Sequence, residues 1–175
     1  MTTLVATYAN AIHEIAIAEG HLEQVEDELF RIGQAVEASD QLRAALTDTS
    51  LPVERRQQII EDVLKGKASP TAFGAVSMIV GAGHAGDLPA IARAVVEKGA
   101  AMRNHAVAEV RSAVPLSDDQ RTRLAVALKK TTGKDVEIKV VIDPTVLGGI
   151  ITQIGDTVID GSVRHRLNRV RETLG

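Results

Sequence analysis

Apolar residues recur along the first hundred or so positions at intervals of three and four, the spacing of a helix face. Leu4, Tyr8, Ala11, Ile12 and Ile15 predict a first helix over 4–18, stopped by Gly20. Leu22, Val25, Leu29, Ile32 and Val36 predict a second over 22–38. Ser39-Asp40 offers an N-cap for a short third helix ending near Leu46. Pro52 sits at the start of a fourth, whose stripe is Val53, Ile59, Ile60, Val63 and Leu64. Ser69-Pro70 repeats the cap-plus-proline signal and opens a fifth segment carrying Phe73, Val76, Ile79 and Val80. Asp87 and Pro89 open a sixth, long helix through Ala90, Ala94, Val95 and Met102. Six helices with short connections predict an all-α six-helix bundle.

The period then shifts to two. Over 106–114, Val107, Glu109, Arg111 and Ala113 alternate with Ala108, Val110, Ser112 and Val114. Ser117-Asp118-Asp119 caps a helix to Lys130, and Val136, Ile138, Val140 and Ile142 alternate with polar residues as a half-buried strand. Gly148-Gly149 leads to a strand over 150–154, and Gly155-Asp156 suits a hairpin turn into 157–159. Val163, Leu167, Val170 and Leu174 mark one face of a final helix. The expected fold is therefore α+β: a helical domain over 1–105, then a small β-α-β-β-α domain over 106–175, with the boundary near 103–105.

Composition narrows the picture. Hydrophobic residues make up 45% and charged residues 25% of the chain, a globular balance rather than that of a disordered one. Aromatic residues reach only 2%, so the core has to be assembled from Ala, Val, Ile and Leu. The lack of cysteine removes disulfides, thiolate metal sites and cysteine nucleophiles together. The opening MTTLVATYANAIHEIA has no Lys or Arg ahead of its apolar residues, so no signal peptide is expected. No apolar run is long enough to predict a membrane span. The net charge of −3 hides a change of sign. Residues 1–104 hold 9 Lys/Arg and 14 Asp/Glu, whereas 105–175 hold 11 and 9, as for two domains with different partners.

Candidate chemistry is sparse. Gly81-Ala82-Gly83-His84-Ala85-Gly86 matches GxGxxG, which in a dinucleotide site follows a strand and opens a helix. The Phe73, Val76, Val80 spacing runs a helix into these glycines, so a helix–helix connection is expected instead. His13, His21, His84, His105 and His165 are scattered without metal-ligand spacing, as solvated or capping residues. Asp143 and Asp160 flank turns, where Asp accepts from backbone N–H groups. The cluster Arg164, Arg166, Arg169 and Arg171 raises nucleic-acid binding, but the strands offer no aromatic residues on which bases could stack. No catalytic residue, cofactor, metal or nucleic acid is expected.

The C-terminal residues are more specific. Asp143-Pro144, Gly148-Gly149, Ile154-Gly155-Asp156, Val158-Ile159-Asp160-Gly161-Ser162-Val163 and Arg166-Leu167 closely resemble the signature of the ATP synthase delta subunit family, to which the mitochondrial oligomycin-sensitivity-conferring protein belongs. Ser112-Ala113-Val114-Pro115-Leu116-Ser117, Thr132-Gly133-Lys134 and the opening Tyr8-Ala9-Asn10-Ala11 with Ile15-Ala16 are similar to further family segments. Thr7, Ile12-His13 and the glycine run depart from it.

The resemblance implies a non-catalytic stator subunit of an F-type ATP synthase, peripheral on the cytoplasmic face of the bacterial plasma membrane. In this family the helical domain binds N-terminal helices of alpha subunits on the catalytic head. The C-terminal domain holds the C-terminal ends of the peripheral-stalk b subunits. Tyr8, Ile12 and Ile15, with Phe73, Val76 and Ile79, are then either walls of an alpha-binding groove between the first and fifth helices or plain core. Arg164, Arg166, Arg169 and Arg171 become candidates for contact with b.

Overall fold

Small polar residues and prolines set the helix starts. Helix α1 (Thr3–Ala18) ends before Gly20, whose φ of +74° turns the chain toward α2 (Leu22–Ala38). Ser39 caps α3 (Asp40–Thr47), its Oγ accepting the Leu42 N–H at 3.2 Å. Pro52 precedes α4 (Val53–Leu64). Ser69 Oγ accepts the Ala72 N–H at 3.3 Å, and Pro70 takes the first position of α5 (Pro70–Gly81). A one-turn 3-10 helix (Ala85–Asp87) leads into α6 (Leu88–Met102). The glycine string is thus a helix–helix connection, and helix α5 stands where a dinucleotide fingerprint requires a strand. The structure is a computed structural model and describes residues 3–146, 148–155 and 157–161.

The backbone divides into two compact units, Met1–Gly99 and Ala100–Gly175. In the first, Val5, Ala9, Ile12 and Ala16 of α1 join Val25, Leu29, Ile32 and Val36 of α2, Ile60 and Leu64 of α4, Val76, Ile79 and Val80 of α5, and Leu88, Ile91 and Val95 of α6. Aliphatic side chains this small let helices approach closely. At Gly33, a built Cβ would lie 3.0 Å from Ala92 Cβ and 3.3 Å from Pro89 Cα, so α2 crosses α6 almost backbone to backbone. His13 corrects the sequence reading: it is neither solvated nor a cap but fully buried on α1, with both ring nitrogens lacking a hydrogen-bond partner.

In the second unit, β1 (His105–Ser112) pairs in parallel with β2 (Asp135–Ile142) and antiparallel with β3 (Ile150–Ile154), which pairs antiparallel with β4 (Thr157–Asp160). The sheet order is β2-β1-β3-β4. A parallel pair needs a crossover, supplied by α7 (Asp118–Thr132). Ser117 and Gln120 form a reciprocal capping box at the start of α7, and Gly133, at φ +72°, closes its end. Ala108, Val110 and Leu128 form the buried core, with Val136, Ile138, Ile150 and Ile154 against it. Ile142, Val158 and Ile159 remain exposed. The last helix of the expected β-α-β-β-α order falls outside the described residues.

Candidate partner-binding groove

α1 and α5 lie antiparallel. Thr71, at the start of α5, donates its hydroxyl to the Glu19 carboxylate just past the end of α1. At the opposite end, the Tyr8 and His84 rings meet edge to face with centroids 5.8 Å apart. Between these ends runs a groove of about 290 Å³, lined by Ile12, Ile15 and Glu19 on one side and by Thr71, Gly74, Ala75 and Met78 on the other. Ile12 is its floor at 1% exposure, while Ile15 at 47% and Met78 at 44% stand as walls.

The six residues singled out from the sequence divide accordingly. Ile12 and Ile15 line the groove. Tyr8 is half-buried, packing on the core with its ring against His84. Phe73, Val76 and Ile79 are not groove walls: Val76 and Ile79 are fully inside the core, and Phe73 packs against it half-buried. Each helical residue turns about 100°, so the Val76/Ile79/Val80 face and the Thr71/Gly74/Ala75/Met78 face point different ways. Gly74 and Met78 were missed because α5 is apolar on both faces. The signal that could have found them is the lack of any charged residue in PTAFGAVSMIVG. Arg164, Arg166, Arg169 and Arg171 fall outside the described residues.

Charge around this groove is acidic. Along α1 the only Asp, Glu, Lys or Arg is Glu14, 71% exposed and 3.9 Å from Lys98 Nζ. Two other carboxylates are structural ties. Burial pushes the Glu28 carboxyl up, but hydrogen bonds from the Ser69 hydroxyl at 2.6 Å, Gln24 at 2.9 Å and the Ser69 N–H at 2.8 Å outweigh it, and its pKa lies below the ordinary value. This bond set ties α2 to the start of α5. Burial likewise raises Glu137, yet the Arg103 guanidinium at 2.8 and 3.1 Å and His105 Nδ1 at 3.1 Å hold it low. Asp143 Oδ1 accepts the Thr145 hydroxyl and N–H at 2.6 and 2.9 Å, the turn role expected of it. Among the described residues, no group of three or more His, Asp or Glu side chains converges to hold a metal ion, and no helix is long and apolar enough to cross a membrane.

A helical unit bearing an open apolar groove, followed by a small mixed sheet, places the chain in the α+β class. Its sequence matches the family profile of the ATP synthase delta (OSCP) subunit over residues 4–174. The chain belongs to that family. It is 38% identical over 172 residues to the ATP synthase subunit delta of Nocardia farcinica, covering 98% of this chain and 64% of that one. It is 38% identical over 174 residues to that of Beutenbergia cavernae, covering 95% and 64%. The chain thus spans just under two thirds of the length of these relatives. Its fold matches a chain of the Toxoplasma gondii mitochondrial ATP synthase hexamer, solved by cryo-electron microscopy, with a TM-score of 0.60 at 24% identity over 99% of this chain and 98% of that one.

Proposed function

We infer that this chain is a non-catalytic stator subunit of an F-type ATP synthase, joining the catalytic head to the peripheral stalk. The first unit takes N-terminal helices of alpha subunits, and the α1/α5 groove is their seat. The second unit holds the C-terminal ends of the b subunits, with Arg164, Arg166, Arg169 and Arg171 as candidate contacts. The complex sits at the cytoplasmic face of the bacterial plasma membrane, with this chain peripheral to it.

The observation that carries the reading is the groove's unfinished packing. A helix apolar all round is normally covered on all sides, yet α5 leaves Met78 and Gly74 facing solvent opposite Ile15. Gly74 sharpens this. A mid-helix glycine costs about 0.5–1 kcal/mol relative to alanine, and a Cβ built there meets nothing within 4 Å. Gly33 is explained by α6; among the described residues Gly74 has no such neighbour. A partner helix inserting an i, i+3, i+4, i+7 stripe would use the space that Gly74 leaves.

The test is reconstitution. Membranes stripped of this subunit at low salt should recover coupled ATP synthesis when the purified chain is added, and the tagged chain should retain alpha and b subunits. Recovery of neither subunit, with synthesis unrestored, would overturn the assignment.

A further inference from the structure

Sulfur occurs in this chain only as methionine. There is no cysteine, and the three methionines are Met1, Met78 and Met102. Met78 is 44% exposed and stands in the wall of the α1/α5 groove, opposite Ile15. Gly74, one turn before it on α5, leaves open space, since a Cβ built there meets nothing within 4 Å. A small solute in the groove therefore reaches the Met78 thioether. Met102, the last residue of α6, is 65% exposed but lies outside the groove lining.

The groove has nothing to offer a polar atom on Met78. Its lining side chains are apolar except Glu19 and Thr71 at one end. The Thr71 hydroxyl is the one side-chain donor among them, and it is given to the Glu19 carboxylate, which can only accept. An oxygen added to the Met78 sulfur would have no side-chain donor in the lining and would depend on water. Water reaches it in the free chain. A helix seated in the groove shuts water out and leaves that oxygen unsatisfied, which is costly.

We propose that Met78 is a site of reversible oxidation by a peroxide, and that its sulfoxide bars the groove to a partner helix. The sulfur lone pair attacks one peroxide oxygen. The S–O bond forms as the O–O bond breaks, and the proton left on the transferred oxygen passes to the departing hydroxide, giving water. Sulfur loses two electrons and the peroxide gains them. The product is a polar side chain on a surface that has to be dry when occupied. A seated helix covers Met78, so oxidation acts on the free chain and decides whether it can assemble. This inference rests on the α1/α5 groove being the seat proposed for the alpha helices.

The test uses the full chain and a synthetic alpha N-terminal peptide, with hydrogen peroxide as oxidant, removed before the peptide is added. Mass mapping should find an added oxygen on Met78. Calorimetric titration should show the oxidised chain binding about ten-fold more weakly, with its melting temperature unchanged. Methionine sulfoxide reductases A and B together, one for each sulfoxide epimer, should restore binding. Met78→Leu should bind the peptide and keep its affinity through peroxide, whereas Met102→Leu should lose affinity as the parent does. Bound peptide, present during oxidation, should protect Met78 and not Met102. Met78 left unoxidised while Met102 is converted, equal affinity of the reduced chain and the Met78 sulfoxide, a loss that Met78→Leu does not prevent, or a loss that comes with a lower melting temperature would each overturn this inference alone. Failure of the reduced chain to bind the peptide would overturn the groove assignment, and this inference with it.

Discussion

Substituting aspartate at Ile12 and at Ile15 separates groove wall from core. The two residues stand three apart on α1 and line the same groove, but Ile12 is 1% exposed and Ile15 47%. Burying an aliphatic side chain fully is worth about 1.5–3 kcal/mol, so covering the exposed 47% of Ile15 by a partner contributes about 0.7–1.4 kcal/mol. An aspartate there also sets a charge against the partner's apolar face. Ile15→Asp should therefore weaken binding of an alpha N-terminal peptide by about 1–3 kcal/mol, roughly 5- to 150-fold, as interface hot spots do. The free protein should keep its melting temperature, because that position is already wet. Met78→Asp, across the groove, should behave alike. Ile12→Asp loses the whole burial term and buries a carboxylate as well, so it should cost more than about 4 kcal/mol of fold stability, a large part of what a domain of this size has. Calorimetric titration and thermal melts read both effects. The reasoning fails if Ile15→Asp and Met78→Asp leave peptide affinity within two-fold of the parent while the fold is intact, or if Ile12→Asp melts like the parent.

Four further outcomes are expected. Gly33→Ala should destabilise by about 1–3 kcal/mol through overpacking against Ala92 and Pro89. Gly74→Ala should stabilise the free chain by about 0.5–1 kcal/mol and weaken alpha-peptide binding; urea denaturation giving the same sign for both would contradict the packing account. Glu28→Gln should cost about 1–3 kcal/mol near neutral pH by removing charge-assisted bonds to Ser69. Because the folded pKa of Glu28 lies below its unfolded value, this contribution is present above the unfolded pKa and fades as pH falls through the folded one, so a parent–variant gap constant from about pH 7 to pH 3 would refute it. Deleting residues 163–175 removes the Val163, Leu167, Val170 and Leu174 stripe. The second unit should then lose its cooperative melt while the helical signal of the first persists; in the assembled enzyme, coupled synthesis should stop while ATP hydrolysis continues. An unchanged melt would show that the stripe does not pack on the sheet.

Much of the architecture was legible because local signals and tertiary burial agree. The stripe Val25, Leu29, Ile32, Val36 predicted a helix over 22–38, and α2 has those bounds with all four residues buried. The capping serines at 39, 69 and 117 each accept the bond their sequence context implied. Alternation at 136–142 and the turn at Gly155, which has φ +54°, located β2, β3 and β4. What could not be read was tertiary in origin. The parallel pairing of β1 with β2 leaves no local mark, and a His in an apolar stretch gives no hint that its ring is buried unpaired, as His13 is. Gly33 could only be explained once Ala92 and Pro89 were known to lie against it.

The groove was half legible for a related reason. Periodicity locates a core face by contrast with a polar face, and in α4 the contrast is sharp: Ile60 and Leu64 are buried among Arg, Gln, Glu and Asp. In α5 there is no contrast. Val76, Ile79 and Val80 pack inward while Gly74 and Met78 look outward, and none of them is charged. The same holds for α1, where Ile12 is buried and Ile15 and Ile17 are exposed. A sequence stripe chosen from such a helix has no means of telling which apolar face meets the core, and of the two alternatives left open for Phe73, Val76 and Ile79 their burial agrees with plain core. The loss of amphipathic contrast is nonetheless information. A helix with no charged residue, α5, packed beside the exposed Ile15 of α1, leaves a surface that water covers poorly. That surface is the α1/α5 groove, and the residues to perturb are those the period could not single out: Gly74 and Met78 opposite Ile15.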